Sequence, residues 1–389
     1  MNGKRASQEG AESSEARTPL VAWCVVAVMV YLLLLAVDLI NHGFKQATGG
    51  AESAQALFAF ATNPFMGVLL GGLVTALVQS SSTVTSIIVG MVAGGLPVSV
   101  AIPMVMGANL GTTITNTLVS FGHVGNREEF RRAFAAATVH DGFNLLSILI
   151  FLPLEMAFGV LERLSGALVG LAKQFGSHNL EGLDFVEAVV EPVSDLIELL
   201  VSPLPGPWAG VALIVLGVAL ILVAIIRLSV ALRTVMVGKA NQLLHTAVGR
   251  GPISGIVSGT VVTVVVQSSS TTTSLMVPLA GSGVFRLDEV YPFTLGANIG
   301  TTITALLAAT VTASGSLETA LQIALAHFLY NLLGVVVIYG LPWLRTLPML
   351  GAEWLARVGS ERKGLAIAYT LGMFFVAPGV LAFVGTRLF

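Results

Sequence analysis

The sequence predicts an all-α integral membrane protein made of two inverted repeats, with re-entrant hairpins or broken helices at matching positions. Three observations carry that prediction. Charge is scarce, at 10% of residues with 55% hydrophobic, where soluble domains carry about 25% charged. Long polar blocks occur twice in the chain. Basic residues are distributed in opposite order around the two copies.

The charge deficit is concentrated. Between Glu52 and Arg127 lie 74 residues without Asp, Glu, Lys or Arg. Further gaps run from Gly251 to Phe285, Val290 to Leu317 and Thr319 to Leu344. As helix, the first gap would extend about 110 Å, over three crossings of a ~30 Å hydrocarbon layer. A net charge of −2 offers no field for nucleic acid. The single cysteine, Cys24, lies in an apolar run, so no disulfide framework or cysteine-based transition-metal site is expected.

Taken in order, residues 1–18 read as a disordered cytoplasmic tail and 19–41 as the first membrane helix. The apolar run from Thr18 to Val37 is 20 residues, too long for a signal core, and no Ala-x-Ala site follows. Residues 53–160 and 241–345 form the two repeats. The segment 161–207 is rich in acids and reads as a partly helical external loop. Residues 208–240 supply a linking membrane helix and a cytoplasmic loop. The stretch 346–364 reads as a cytoplasmic amphipathic segment and 365–389 as the last membrane helix.

The duplication rests on polar residues. Gln79-Ser80-Ser81-Ser82-Thr83-Val84-Thr85-Ser86 returns as Gln267 through Ser274 with seven of eight positions identical. Gly107 through Thr115 returns as Gly296 through Thr304, with Leu110 replaced by Ile299. His140 and Asn144 match His327 and Asn331, and Gly67, Gly71 and Thr75 match Gly255, Gly259 and Thr263. Arg127, Arg131 and Arg132 follow the motifs of the first copy, whereas Arg227, Arg233, Lys239 and Arg250 precede those of the second. Cytoplasmic loops are enriched in Lys and Arg, so the copies enter the membrane from opposite sides.

Five consecutive hydrogen-bonding side chains in Gln-Ser-Ser-Ser-Thr cannot face lipid. The preceding Pro64–Val78 stretch is also short for a crossing, so a hairpin turn is expected near each block. Gly107-Ala108-Asn109 and Gly296-Ala297-Asn298 are expected at breaks of the next helix. Inverted repeats with broken helices indicate a secondary transporter with its site near the midplane. Hydroxyls and helix N-termini suit a tetrahedral oxyanion, while hydroxyl, amide and carbonyl oxygens suit sodium. No Arg or Lys lies in either motif pair, so co-bound cations are the expected charge compensation.

Single residues have plainer readings. A lone membrane Ser or Thr usually joins helices, but a duplicated run of five does not fit that role. His140, Asp141 and His327 are functional candidates as intramembrane ionisable groups, with structural hydrogen bonding an equal reading for each His. Asp141 has the alternative of pairing with Arg131 or Arg132. Gly67, Gly71, Gly255 and Gly259 read as packing surfaces, and Asp38 and Glu155 as solvated helix ends. Asn144 and Asn331 could brace or ligate.

The two Gln-Ser-Ser-Ser-Thr blocks, Gly-Ala-Asn-x-Gly-Thr-Thr, the run Phe130-Arg131-Arg132-Ala133-Phe134 through His140-Asp141, and Phe151-Leu152-Pro153-Leu154-Glu155 together resemble the type II sodium-dependent phosphate cotransporter family. Animal members carry a long, cysteine-bearing loop between the repeats; its short, cysteine-free form here resembles a bacterial member. The resemblance implies sodium-coupled symport of inorganic phosphate by alternating access, with no cofactor beyond the co-transported sodium. It implies an inner-membrane protein with a cytoplasmic N-terminus.

The phosphate site is then expected at Gln79, Ser80, Ser81, Ser82, Thr83, Gln267, Ser268, Ser269, Ser270 and Thr271. Sodium is expected at Gln79, Ser80, Asn109, Thr112, Thr113, Gln267, Ser268, Asn298, Thr301 and Thr302. His140, Asn144, His327 and Asn331 are expected to support these from behind. The rival readings are a proton-coupled or other-oxyanion carrier using His140 or His327, a passive channel and, more remotely, an intramembrane serine hydrolase. The hydrolase lacks a Gly-x-Ser-x-Gly elbow and would have no use for a duplicated serine block.

Overall fold

A computed structural model describes residues 2–48, 63–176, 184–247, 250–310, 316–377, 379–380 and 383. Among them there is helix and no strand. The chain is an all-α integral membrane protein. Among the described residues, six helical stretches are long and apolar enough to cross a bilayer: Trp23–Ala47, Val98–His123, Arg127–Phe158, Pro207–Arg227, Leu287–Ala309 and Leu317–Tyr339.

Helix α1 (Asn2–Thr48) contains the first of these. It already begins at Asn2, through residues expected as a disordered tail. Ala, Glu, Gln, Lys and Arg are frequent there and favour helix. The first copy follows as α2 (Pro64–Val78), α3 (Ser81–Ala93), α4 (Val98–Thr112), α5 (Ile114–Ser120) and α6 (Arg127–Phe158). Its expected start, 53–62, lies outside the described residues. Between the copies stand α7 (Val160–Gly176), α8 (Asp184–Val201) and α9 (Gly206–Ala247).

The second copy repeats the series as α10 (Pro252–Val266), α11 (Ser269–Gly281), α12 (Leu287–Ala309) and α13 (Leu317–Gly334). A π-helical turn, Val335–Tyr339, continues α13. Helix α14 (Pro342–Glu361) and α15 (Lys363–Leu371) with its π-helical turn Gly372–Val376 come last. Most of the expected final helix beyond 380 lies outside the described residues.

The two copies interlock. Helix α3 of the first packs against α12 and α13 of the second, while α11 of the second packs against α5 and α6 of the first. Glycines permit the closest approaches. A Cβ at Gly71 would sit 1.8 Å from the Met104 carbonyl oxygen, and one at Gly107 would sit 2.0 Å from that of Val68. Gly259 and Gly296 repeat this against Phe293 and Ile256, at 2.0 and 1.9 Å. Helices α2 and α4, and likewise α10 and α12, therefore meet backbone to backbone, the small-residue packing available in a membrane.

That contact explains a correction. Gly107-Ala108-Asn109 and Gly296-Ala297-Asn298 do not interrupt their helices. Both runs lie inside regular helix; α12 continues to Ala309, and only a turn residue at Thr113 (φ −75°, ψ −17°) separates α4 from α5. The glycines serve contact with a neighbour instead of a break.

Two acids expected in solvent are buried. Asp38 is packed beside His42, whose Nδ1 lies 3.4 Å from its carboxylate and 3.1 Å from that of Glu198 on α8. Glu155 folds back to accept from the backbone N–H groups of Leu161 (2.6 Å) and Glu162 (3.1 Å). A carboxylate at a helix start satisfies otherwise orphaned donors, here those of α7.

Candidate functional site

Each Gln-Ser-Ser-Ser block forms the tip of a hairpin. Gln79 takes a left-handed conformation (φ 58°, ψ 26°) and ends α2, its N–H bonding the Thr75 carbonyl. Ser80 is extended (φ −151°, ψ 103°) and caps α3, its Oγ accepting from the Thr83 N–H at 3.2 Å. The second tip repeats this closely. Gln267 has φ 54° and ψ 29°, and Ser268 accepts from the Thr271 N–H at 3.2 Å. These glutamines are the only described non-glycine residues with positive φ, a conformation that is costly for most side chains.

The glutamine side chains hold the turns. Gln79 Nε2 donates to the Ala76 carbonyl, and its Oε1 accepts from Thr115 Oγ1 at 2.7 Å. Gln267 Nε2 donates to Val264 at 2.6 Å, and its Oε1 accepts from Thr304 Oγ1 at 2.9 Å. Thr115 and Thr304 were not singled out by the sequence, although both stand at equivalent places in the duplicated block. The tips differ in cover: Gln79 is exposed, whereas Gln267 is buried. Ser81, Ser82, Thr83, Ser269 and Ser270 are all buried.

A second cluster joins the copies at the centre. Asn109 of the first donates to Asn331 Oδ1 of the second at 3.0 Å, and its own Oδ1 lies 3.2 Å from His327 Nε2. In the reverse sense, Asn298 of the second donates to Asn144 Oδ1 at 2.8 Å, and its Oδ1 lies 2.7 Å from His140 Nε2. An amide oxygen only accepts, so each imidazole presents Nε2–H to it. Asn144 Nδ2 also donates to the Asn109 carbonyl at 3.0 Å. All six side chains are buried.

The structure thus gathers Asn109, Asn298, His140, Asn144, His327 and Asn331, and holds them by one another. The remaining expected residues are threonines whose hydroxyls donate to their own helices. Thr112 donates to Ala108, Thr113 to Leu110, Thr301 to Ala297 and Thr302 to Ile299, at 2.7–3.0 Å. Their oxygen lone pairs stay available to a cation.

Asn116, which the sequence did not single out, ties the two clusters together. Its Nδ2 lies 3.4 Å from His140 Nδ1, and its Oδ1 accepts from Thr273 on α11 at 2.9 Å. Among the described residues no serine of either block bonds His140 or His327, so no Ser–His pair of a hydrolase is formed. Asp141 does not pair with Arg131 or Arg132. Those residues lie nine or ten positions away, about 13–15 Å along the helix, and turn to Glu128 (3.8 Å) and the Gly281 carbonyl (2.8 Å).

Comparison with known proteins agrees with the duplicated motifs. The profile of the Na+/Pi-cotransporter family matches residues 32–173 and 220–349. The chain is 34% identical to rat sodium-dependent phosphate transport protein 2A, over 90% of this chain and 66% of the rat protein. With mouse sodium-dependent phosphate transport protein 2A the identity is 34%, over 94% and 68% of the two chains. With human sodium-dependent phosphate transport protein 2B it is 32%, over 90% and 63%. The chain therefore spans just under two thirds of the rat protein's length. No solved structure matches it. With both copies of the repeat inside the matched segments and a third of positions shared with these relatives, the chain belongs to the Na+/Pi-cotransporter family.

Proposed function

We propose that this chain carries sodium and inorganic phosphate together into the cell by alternating access. The observation that supports the reading best is the pair of equivalent hairpin tips, each with a left-handed Gln, a capping Ser and a helix start of Ser-Ser-Thr. Such a tip offers backbone N–H groups, positive partial charge and hydroxyl donors to a tetrahedral anion. In this reading phosphate is bound by Gln79 to Thr83 and Gln267 to Thr271. Thr112, Thr113, Thr301 and Thr302 join Gln79, Ser80, Gln267 and Ser268 in supplying oxygen to sodium. Asn109 and Asn298, whose amides are committed to the opposite copy, brace these groups together with His140, Asn144, His327 and Asn331.

The unequal cover of Gln79 and Gln267 favours a site whose halves open in turn. The opposite placement of basic residues around the copies favours inverted insertion, an inner-membrane location and a cytoplasmic N-terminus. Inward movement of each positive charge would gain about 2.3 kcal/mol per 100 mV of potential.

The test is uptake of radiolabelled phosphate into proteoliposomes under an inward sodium gradient, with choline as control. Sodium should drive accumulation above equilibrium. Ser81→Ala and Ser269→Ala should each lower that uptake while melting unchanged, since neither hydroxyl has a protein partner among the described residues. Equal uptake in sodium and choline would overturn the coupling, and full uptake in both variants would overturn the site.

A further inference from the structure

The arginines that follow the motifs of the first copy meet the turn between α11 and α12 of the second. Arg131 and Arg132 of α6, Arg286 at the start of α12 and Glu353 of α14 share the wall of an open cavity of about 530 Å³. Glu128 and Phe285 line it as well. Helix α11 runs from Ser269 to Gly281, so the cavity at its end stands about 18 Å from the second hairpin tip.

The guanidinium groups there are only partly used. Each carries five N–H donors. Among the described residues, Arg132 gives one to the Gly281 carbonyl at 2.8 Å and Arg286 gives one to Asp288 at 3.0 Å. Arg131 makes no hydrogen bond and comes only within 3.8 Å of Glu128. The ion pairs of Arg131 and Arg286 are exposed, and such pairs contribute little. Three planar forks, drawn from both copies, thus keep donors free for an oxyanion, against two carboxylates on the wall.

Helix α14 marks the depth of the cavity. Trp343, Leu347, Leu350 and Trp354 are 64, 48, 60 and 61% exposed and, at helical spacing, form one stripe. An amphipathic helix with such a stripe lies in the membrane interface, where tryptophan is enriched. Glu353, the neighbour of Trp354, reaches the cavity. The arginines therefore stand at the level of lipid headgroups, where basic pockets between helices hold phosphate groups.

We propose that this cavity is a phosphate-binding site separate from the hairpin tips, in which Arg131, Arg132 and Arg286 grip the phosphate group of an anionic lipid or of free phosphate. It goes beyond the transport reading and requires no sodium. A phosphate group held there ties α6 of the first copy to the α11–α12 turn of the second.

Binding to the purified full chain, in choline without sodium, tests the site in two arms. One counts phosphatidylglycerol retained per chain by native mass spectrometry, with phosphatidylcholine as control. The other measures equilibrium binding of 32P-phosphate. Saturable binding is expected in at least one arm, and the arm that responds identifies the source. Arg131→Gln combined with Arg286→Gln should raise its half-saturation about tenfold or more, the scale of one charge-assisted hydrogen bond. Glu353→Gln should lower it, because a carboxylate leaves the wall. Arg362→Gln, an equal loss of charge outside the cavity, should leave it unchanged. Absence of saturable binding from both arms overturns the proposal, as does binding that survives the double variant intact or that Arg362→Gln weakens equally. If the double variant does not fold, an unchanged or raised half-saturation in Glu353→Gln overturns it instead.

Discussion

Asn298 reaches from the second copy into the first and donates to Asn144 at 2.8 Å. The same side chain holds His140 through its oxygen, at 2.7 Å. One amide thus satisfies two buried groups of the opposite repeat, and Asn109 does the equivalent for His327 and Asn331. The copies are fastened by polar bonds where hydrocarbon offers no substitute partner.

Asn298→Ala should therefore destabilise the whole chain. It would strand the His140 N–H and the Asn144 oxygen, at about 1–3 kcal/mol for each buried group left unpaired. Unfolding in detergent, followed by tryptophan fluorescence, should move to lower denaturant. An unchanged midpoint would mean that the bond between the copies carries no stability.

Replacing Gln79 separates the turn from its chemistry. Gly adopts the left-handed conformation freely, so Gln79→Gly should fold while sodium-driven phosphate uptake falls by about tenfold or more, the scale of one polar contact of about 1.4 kcal/mol. Gln79→Val should lose stability as well, by about 1–2 kcal/mol for a side chain forced into that region. Equal melting of the two variants would contradict the strained turn.

At Gly107 a methyl group has no room. The added carbon would lie 2.0 Å from the Val68 carbonyl oxygen, so Gly107→Ala must push α2 and α4 apart. A loss of about 1–3 kcal/mol or more is expected from such overpacking, visible as reduced monodisperse yield. Gly122→Ala, with nothing within 4 Å of its added carbon, should behave as the parent chain.

The hairpins were legible in the sequence because five adjacent polar side chains cannot be lipid-facing, and because Pro64–Val78 is too short to cross. The helix at Gly107-Ala108-Asn109 was misread for a physical reason. Glycine marks a break when the backbone bends and a contact when another backbone comes close, and only tertiary packing decides between them. Thr115 and Thr304 were hidden because a single hydroxyl in a membrane helix commonly bonds its own carbonyl; their glutamine partners lie 36 and 37 positions away. Asp38 and Glu155 were misplaced since nearness to a helix end says nothing of what folds over it. The His–Asn pairs were visible as a repeat, but their reciprocal exchange between copies required knowing that α4 packs on α13 and α6 on α12.

Coupling between the two fluxes tests the central claim most directly. Proteoliposomes containing the purified chain would be loaded with choline and supplied with 22Na+ and 32P-phosphate together or separately. The account predicts that each ion accelerates entry of the other and that the two enter in a fixed ratio. Sodium entry unaffected by phosphate, or phosphate entry unaffected by sodium, would contradict it.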